Sequence, residues 1–372
     1  MTEAAALATE IKRRALALGF DDVGITGIDL ANDEKHLLAW LARGFHGELH
    51  YMERFQAARA RPAEITPGTI RVISVRLNYW PESAAPAWPT LADGTLGYIS
   101  RYALGRDYHR LMRHRLQTLA DQIKACVGTL GARVFVDSGP VLEKPLARNA
   151  GLGWIGKHTN LIHAKTGSYF FLGEIYIDYP LMIDQPATAH CGSCEACLPA
   201  CPTGAIVAPY QLDAKRCISY LTIELKGSIP ELLRPLMGNR IYGCDDCQLV
   251  CPWNSFAKGT QEPGFNPRLD LDAPRLTALF QWSEQEFEER LAGSPIRRIG
   301  HERWLRNIAV ALGNAPPSTE ARQALMARRS DPSALVREHV EWALTQQDAV
   351  TESRESIAHQ RCALIEVEPS SH

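Results

Sequence analysis

Cys191-Gly-Ser-Cys194-Glu-Ala-Cys197-Leu-Pro-Ala-Cys201-Pro202, then Cys217, then Cys244-Asp-Asp-Cys247-Gln-Leu-Val-Cys251-Pro252, is the stretch from which the fold is read. Eight of the chain's ten cysteines lie in it. C-x2-C-x2-C-x3-C-P is the spacing of two-cluster bacterial ferredoxins, in which the fourth cysteine of each run serves the other cluster. That crossing rule assigns Cys191, Cys194, Cys197 and Cys251 to one 4Fe–4S cluster, and Cys201, Cys217, Cys244 and Cys247 to a second. Pro202 and Pro252, which lack a backbone N–H, turn the chain away after each run. A module of this kind passes electrons one at a time.

Other readings of the cysteines fit less well. Structural zinc also uses C-x2-C pairs, but it takes four ligands in a tetrahedron and does not call for a threefold run closed twice by C-x3-C-P. Disulfide frameworks belong to short secreted chains, whereas this one has 372 residues. Glu3, Glu10, Lys12, Arg13 and Arg14 interrupt any apolar leader. No stretch approaches the ~20 apolar residues of a membrane span. A soluble protein of the reducing cytoplasm is expected, with Cys126 and Cys362 as ordinary thiols.

Working outward, the length exceeds one typical core, and two or three domains are expected. Residues 3 to 18 carry Ala6, Leu7, Ile11, Ala15 and Leu16 at helical spacing before Gly19. Short apolar runs at 23–25, 72–75, 133–137 and 169–177 read as strands, and 110–129 as an amphipathic helix. Together they predict an α+β architecture in three parts. A mixed domain spans 1–180, a ferredoxin-like domain 181–258, and an all-helical region 275–355, followed by a flexible tail at 356–372. In the helical region, Asp331-Pro332 followed by Val336-Arg337 and Ala343-Leu344 resembles HEAT-like repeats. The formal net charge of −2 announces no global field for nucleic acid. Arginines nevertheless crowd this region, including Arg290, Arg297, Arg298, Arg303, Arg306, Arg328 and Arg329. They are either a solvated face balanced by nearby glutamates or a local stripe for phosphates.

The mixed domain lacks a dinucleotide fingerprint. Gly151-x-Gly153-x2-Gly156 precedes an apolar strand instead of following one, so it predicts no nicotinamide site. Asp137 closes a buried-looking strand and opens onto Ser138-Gly139-Pro140. There a carboxyl is partly desolvated, its pKa raised and a proton held for donation; an ordinary turn aspartate is the plain alternative. Glu143 and Lys144 are expected to pair with each other or with Arg148.

Tyr102-Ala103-Leu104-Gly105-Arg106-Asp107-Tyr108-His109, Val136-Asp137-Ser138-Gly139-Pro140, Gly151-Leu152-Gly153-Trp154-Ile155-Gly156-Lys157 and Cys217-Ile218-Ser219-Tyr220-Leu221-Thr222-Ile223-Glu224 stand beside the double cysteine motif. In combination they resemble the epoxyqueuosine reductase family, from about Arg59 to Trp253. The resemblance implies a tRNA-modifying oxidoreductase that removes the epoxide oxygen of epoxyqueuosine at the wobble position of tRNAs with GUN anticodons. It implies a cobalamin cofactor, reduced to cob(I)alamin through the two 4Fe–4S clusters by a separate low-potential electron donor, in a monomer. By motif match Asp137 is the proton donor to the opening epoxide. Arg61, Tyr102, Asp107, Tyr108, His109, Asp137, Lys157, Asn160, Ser219 and Asp245 line the corrinoid. Arg297, Arg298 and Arg303 are the candidates for tRNA contact.

Three other classes compete. A corrinoid reductive dehalogenase shares both cofactor types but usually carries a twin-arginine export signal, which this N-terminus does not show. An electron-transfer protein serving another reductase needs neither Asp137 nor the large N-terminal domain. A tRNA-binding adaptor needs no corrinoid.

Overall fold

The computed structural model describes residues 3–348; the tail expected at 356–372, the end of the helical region at 349–355 and Cys362 lie outside the described residues. An N-terminal helix α1 (Glu3–Ala17) leads into β1 (Asp22–Thr26), and β2 (Arg71–Asn78) pairs antiparallel beside it. Helix α2 (Tyr108–Val127), strand β3 (Ala132–Phe135), helix α3 (Glu143–Asn149) and strand β4 (Phe170–Ile177) complete the mixed region. The sheet order is β1-β2-β4-β3, antiparallel throughout. β3 stops at Phe135, so Asp137 falls just beyond the strand expected to contain it.

The central strands β2 and β4 are buried along nearly their whole length, which is why they read as continuous apolar runs. Alternation still sorts their side chains between two faces. Phe171, Ile175 and Ile177 join Ile73, Val75 and Leu77 against Ile11 and Ala15 of α1 and Met112, Leu116, Leu119 and Ile123 of α2. Gly173 lies on this face because a Cβ there would stand 2.8 Å from Leu116. Leu146 and Ala147 of α3 pack on the opposite face, with Tyr176 and with Phe170 and Leu172. Glu174 shares that second face and is 0% exposed. A carboxyl thus occupies a core position of the central strand.

The chain beyond residue 200 is short helices, short strands and turns closed by three longer helices. Helices α4 (Ile218–Ile223) and α5 (Asp246–Leu249) follow cysteines Cys217 and Cys244. Next come α6 (Gly300–Asn314), α7 (Thr319–Ala327) and α8 (334–348). Ser318 caps α7 by accepting from the Ala321 N–H. One continuous core gathers Ile99 to Leu104, Ile218 to Tyr242 and Leu271 to Leu344, so the helices at the end and the segment bearing Cys217 share buried surface.

Arg306 pins them together. Its side chain is 0% exposed and donates to the carbonyls of Leu221, Leu225 and Gly227, each at 2.7 Å. Asn307 beside it donates to Thr222 and Ile241. All but Ile241 are carbonyls at and beyond the end of α4, which a helix leaves without partners of its own. Arg306 therefore drops out of the arginine stripe read from the sequence: it is a core residue, and burial pushes its pKa down to about 9. Orphaning a buried acceptor costs about 1–3 kcal/mol. Arg306→Ala and Arg306→Met should both lower the denaturation midpoint strongly; an unshifted midpoint in either would show that water replaces the guanidinium at no cost.

Candidate active site: two cysteine clefts and an acid-lined cavity

The structure brings the eight cysteines together in two groups of four. Cys191, Cys194, Cys197 and Cys251 ring one cleft, walled by Lys157, His158, Pro252 and Trp253. Cys201, Cys217, Cys244 and Cys247 line a cavity of about 330 Å3. These are the two sets named by the crossing rule. Among the described residues no three His, Cys, Asp or Glu side chains converge on a point that would hold one metal ion. A cubane carries iron at four corners and takes its thiolates at wider spacing. Burial pushes the Cys197 thiol up to about 11, and the neighbouring charges of Cys251, Cys191 and Cys194 push the same way. Thiolates gathered like this need positive charge among them, which iron supplies.

The larger cavity has a second wall. Asp137, Tyr108, Glu143, Lys144, Asn160 and Ser219 line it opposite the cysteines. It continues into an outer opening of about 550 Å3 that shares Tyr102, Tyr108, Asp137 and Ser219, with Arg298 and Arg303 on its rim. One of its flat surfaces is the Tyr108 ring, stacked on Phe171 at 3.7 Å and 9°.

Asp137 is held by the first turn of α2. Asp107 caps that helix, accepting from the His109 backbone N–H at 3.0 Å and from ring Nδ1 at 2.7 Å. The cap turns the other ring nitrogen, Nε2, toward Asp137 Oδ2 at 3.2 Å. Tyr108 donates its hydroxyl to the same oxygen at 2.6 Å. Arg298 reaches back to Asp107 at 2.6 Å. Asp137 itself has φ +43°, a conformation uncommon for aspartate and typical of strained functional positions. Its side chain is 52% accessible, yet protein crowds it, because what it faces is the cavity and not open solvent.

That setting corrects the expectation of a raised Asp137 pKa. Burial does push it up, but hydrogen bonds from His109 and Tyr108 and the charges of His109 and Lys144 outweigh it, and Asp137 is held below its usual range. His109 moves the other way. Burial lowers it, but the contacts to Asp107 and Asp137 prevail and raise it. The two shifts run in opposite directions, so folding favours a proton on the imidazole over one on the aspartate. Glu143 is also misjudged by the sequence reading. Lys144 bonds Asn160 Oδ1 and the Thr159 carbonyl and Arg148 pairs with Asp33, so neither neutralises it. Burial first, and then the Asp137 charge, push Glu143 up to about 8.

Two family models match the chain: a 4Fe-4S double cluster binding domain over residues 190–254, and the model described as epoxyqueuosine reductase QueG, DUF1730, over 59–138. An epoxyqueuosine reductase of Xanthomonas campestris is 61% identical over 345 residues, 93% of this chain and 96% of that protein. The Escherichia coli protein of the same name is 58% identical over 92% of this chain and 89% of its own length. The chain belongs to the epoxyqueuosine reductase family. A solved epoxyqueuosine reductase with an epoxyqueuosine-modified tRNA stem loop superposes with a TM-score of 0.84 at 30% identity, covering 98% of this chain and 95% of that one. One from Bacillus subtilis, whose catalytic aspartate loop is swung out of the active site, gives 0.82 at 29% identity over 92% and 90%.

Within this reductase fold the remaining candidates are scattered. Tyr102, Tyr108, Asn160 and Ser219 line the cavity. Lys157 lines the cleft of the first cysteine group and pairs with Glu195 at 3.6 Å. Asp245 does not line the cavity: its buried carboxylate accepts from Tyr98, Ser100 and the Arg101 N–H. Arg61 is exposed and bound by Glu34 and Glu64, away from the lining. Of the three tail arginines, Arg297 pairs with Glu288 and Arg303 donates to the carbonyls of Ile299, Ile223 and Arg298. Arg298 and Arg303 both stand at the cavity mouth, with Arg303 engaged by those carbonyls. The sequence reading passed over Arg106, Arg110, Arg113 and His114, which line an open groove of about 750 Å3 ending at Arg298. Their spacing of four, three and one along α2 and its lead-in was the available signal. Among the described residues no ion pair occupies these guanidinium groups.

A group whose pKa is raised by folding adds stability that is complete below its unfolded value and is lost as pH rises through its folded value. Asp137 stays ionised throughout that window. The stability difference between the protein and His109→Gln should therefore be widest near roughly pH 6 and shrink on the alkaline side. A difference that stays flat with pH in denaturation curves would mean that no imidazolium is held there.

Proposed function

We propose that this reductase converts epoxyqueuosine to queuosine at the wobble position of tRNA inside the cavity bounded on one side by Asp137 and on the other by Cys201, Cys217, Cys244 and Cys247. The single observation that carries the reading is this shared lining: an acid and one group of cluster cysteines face the same space. The solved relative holding an epoxyqueuosine-modified stem loop supports the substrate.

The cluster ligands are the two groups of four cysteines, in a ferredoxin-like domain at 181–258. The residues present also fit a corrinoid. The cavity and its outer opening join through stacked aromatic walls, with Asn160, Ser219 and Lys144 offering polar contacts. Tyr102, Tyr108, Asn160 and Ser219 would hold it directly, in a corrinoid-binding domain at 1–180, while His109 and Asp107 orient the acid and Asp245 braces the wall. Arg61 and Lys157 keep at most a peripheral part. Bound cobalamin supplies, as cob(I), a strong nucleophile and electron donor to the epoxide carbon. The protein's own task is the oxygen. As the ring opens, negative charge gathers there, and the Asp137–His109 pair delivers a proton to it. Tyr108 keeps the carboxylate aimed into the cavity.

The HEAT-like helices from 275 onward close the outer opening. For the RNA backbone, the groove of Arg106, Arg110, Arg113 and His114 offers cations not already spent on carboxylates, and Arg298 links it to the cavity mouth. The protein works as a monomer supplied by a separate low-potential donor. Among the described residues no helix is long and apolar enough to cross a membrane.

Anaerobic protein with iron restored and cobalamin added should show both chromophores and convert epoxyqueuosine-tRNA to queuosine-tRNA. Asp137→Asn should keep both chromophores and lose about 10²–10⁴-fold in rate; full turnover in that variant removes Asp137 as donor. Reversing Arg110 and Arg113 to glutamate should weaken tRNA binding and flatten its dependence on salt by roughly one unit of slope per lost phosphate contact. An unchanged slope would place the RNA elsewhere.

A further inference from the structure

Removing an epoxide oxygen takes more than one proton. The epoxide gains two electrons, both C–O bonds break, a C=C bond forms, and the oxygen leaves as water carrying two protons. The electrons are those of the established reductase activity. Asp137 and His109 share one proton between them, so a second has to be delivered to the same oxygen.

We propose that Glu143 is that second source: it lines the cavity beside Asp137 and gives up its proton as the second C–O bond breaks and hydroxide departs as water. The inference rests on the reduction proposed above. Several independent observations place Glu143 there. It starts α3 immediately after the Asp137 turn and shares the cavity lining with Asp137, Tyr108 and Lys144. The carboxyl lies close enough to the Asp137 backbone N–H for that dipole to offset part of its burial, which puts it next to the acid. Its oxygen Oε2 is buried with no hydrogen-bond partner. A buried carboxylate oxygen without a donor is costly; a protonated one is not.

The surroundings agree. Asp137 faces Glu143 from the β3–α3 turn, His109 and Tyr108 from α2, and Lys144 from its own helix. Glu174 stands behind it on β4, fully buried with both oxygens unpartnered. Burial, then the charges of Glu143 and Asp137, drive Glu174 far above the usual carboxyl range. Three carboxyls thus run from the core to the cavity, only the outermost of them held as an anion. Lys144, the one nearby cation besides His109, turns to Asn160 and Thr159 and offers Glu143 no hydrogen bond. Glu174 is not part of the cavity lining and does not face the substrate.

Infrared difference spectra of the cluster-loaded protein, titrated in H2O and D2O, read this directly. Two protonated-carboxyl bands should be present at neutral pH: one that vanishes as pH passes about 8 and is missing in Glu143→Gln, and one that persists beyond that pH and is missing in Glu174→Gln. Glu143→Gln should bind the modified tRNA stem loop as tightly as the parent, lose about 10²-fold or more in turnover, and lose the alkaline limb of the pH–rate profile. Glu143→Asp should recover part of the rate. Parent-like turnover in Glu143→Gln, or a band that still titrates near pH 8 in that variant, overturns the inference while leaving the reductase reading intact. A parent protein that binds the stem loop but never reduces it overturns the reading itself, and the infrared band then still decides whether Glu143 is protonated. Should Glu143→Gln fail to fold, the parent's band and the Glu143→Asp rate carry the same decision.

Discussion

The carboxylate of Asp245 ties together the two halves of the cavity. It lies between Cys244 and Cys247 and takes three hydrogen bonds from Tyr98, Ser100 and Arg101. The segment it grips runs straight into Tyr102, Asp107, Tyr108 and His109. A cluster-bearing loop and an acid-bearing loop are thereby registered against each other by one buried group. Strand pairing reinforces it, because Tyr98–Ile99 runs parallel to Arg240–Tyr242. In the proposed reaction electrons go to the epoxide carbon and protons to the oxygen bonded to it, and this contact helps fix the distance between their sources.

Electrostatics on the acid side are built from alternation along a helix end. Asp107, His109 and Asp137 form a row of carboxylate, imidazole and carboxylate, and Arg298 closes it from the far part of the chain. Such a row keeps a proton mobile across a short distance without letting it escape to water. Glu143 and Glu174 sit beneath the row in a drier layer, where only the neutral acid is comfortable.

The sequence announced some of this far better than the rest. Thiolate chemistry leaves its mark in spacing, so the two cysteine groups were legible residue by residue. Long apolar runs marked β2 and β4, and the periodicity of Met112, Leu116, Leu119 and Ile123 marked α2. Burial of a charged residue leaves no such mark. Arg306 looked like part of a surface stripe because its partners are backbone carbonyls, which have no letter in a sequence. The motif match puts Asp245 along the corrinoid, whereas its carboxylate is buried against Tyr98, Ser100 and the Arg101 N–H. Glu143 looked paired because an adjacent lysine suggests an ion pair, whereas the helix points the two side chains to different partners. The direction of the Asp137 pKa was misread for the same reason: His109 is 28 positions away in the chain and in contact only once α2 lies across the sheet.

Arg298 completes the histidine row from a point 191 residues downstream of Asp107. A nascent chain emerging from the ribosome therefore presents all its cluster cysteines well before the guanidinium that closes the row is made. Cut short past Cys251, the chain would lack Arg306 as well, and with it the side chain that ties down the carbonyls after Cys217. Both halves of the chemistry thus wait on arginines that are synthesised late.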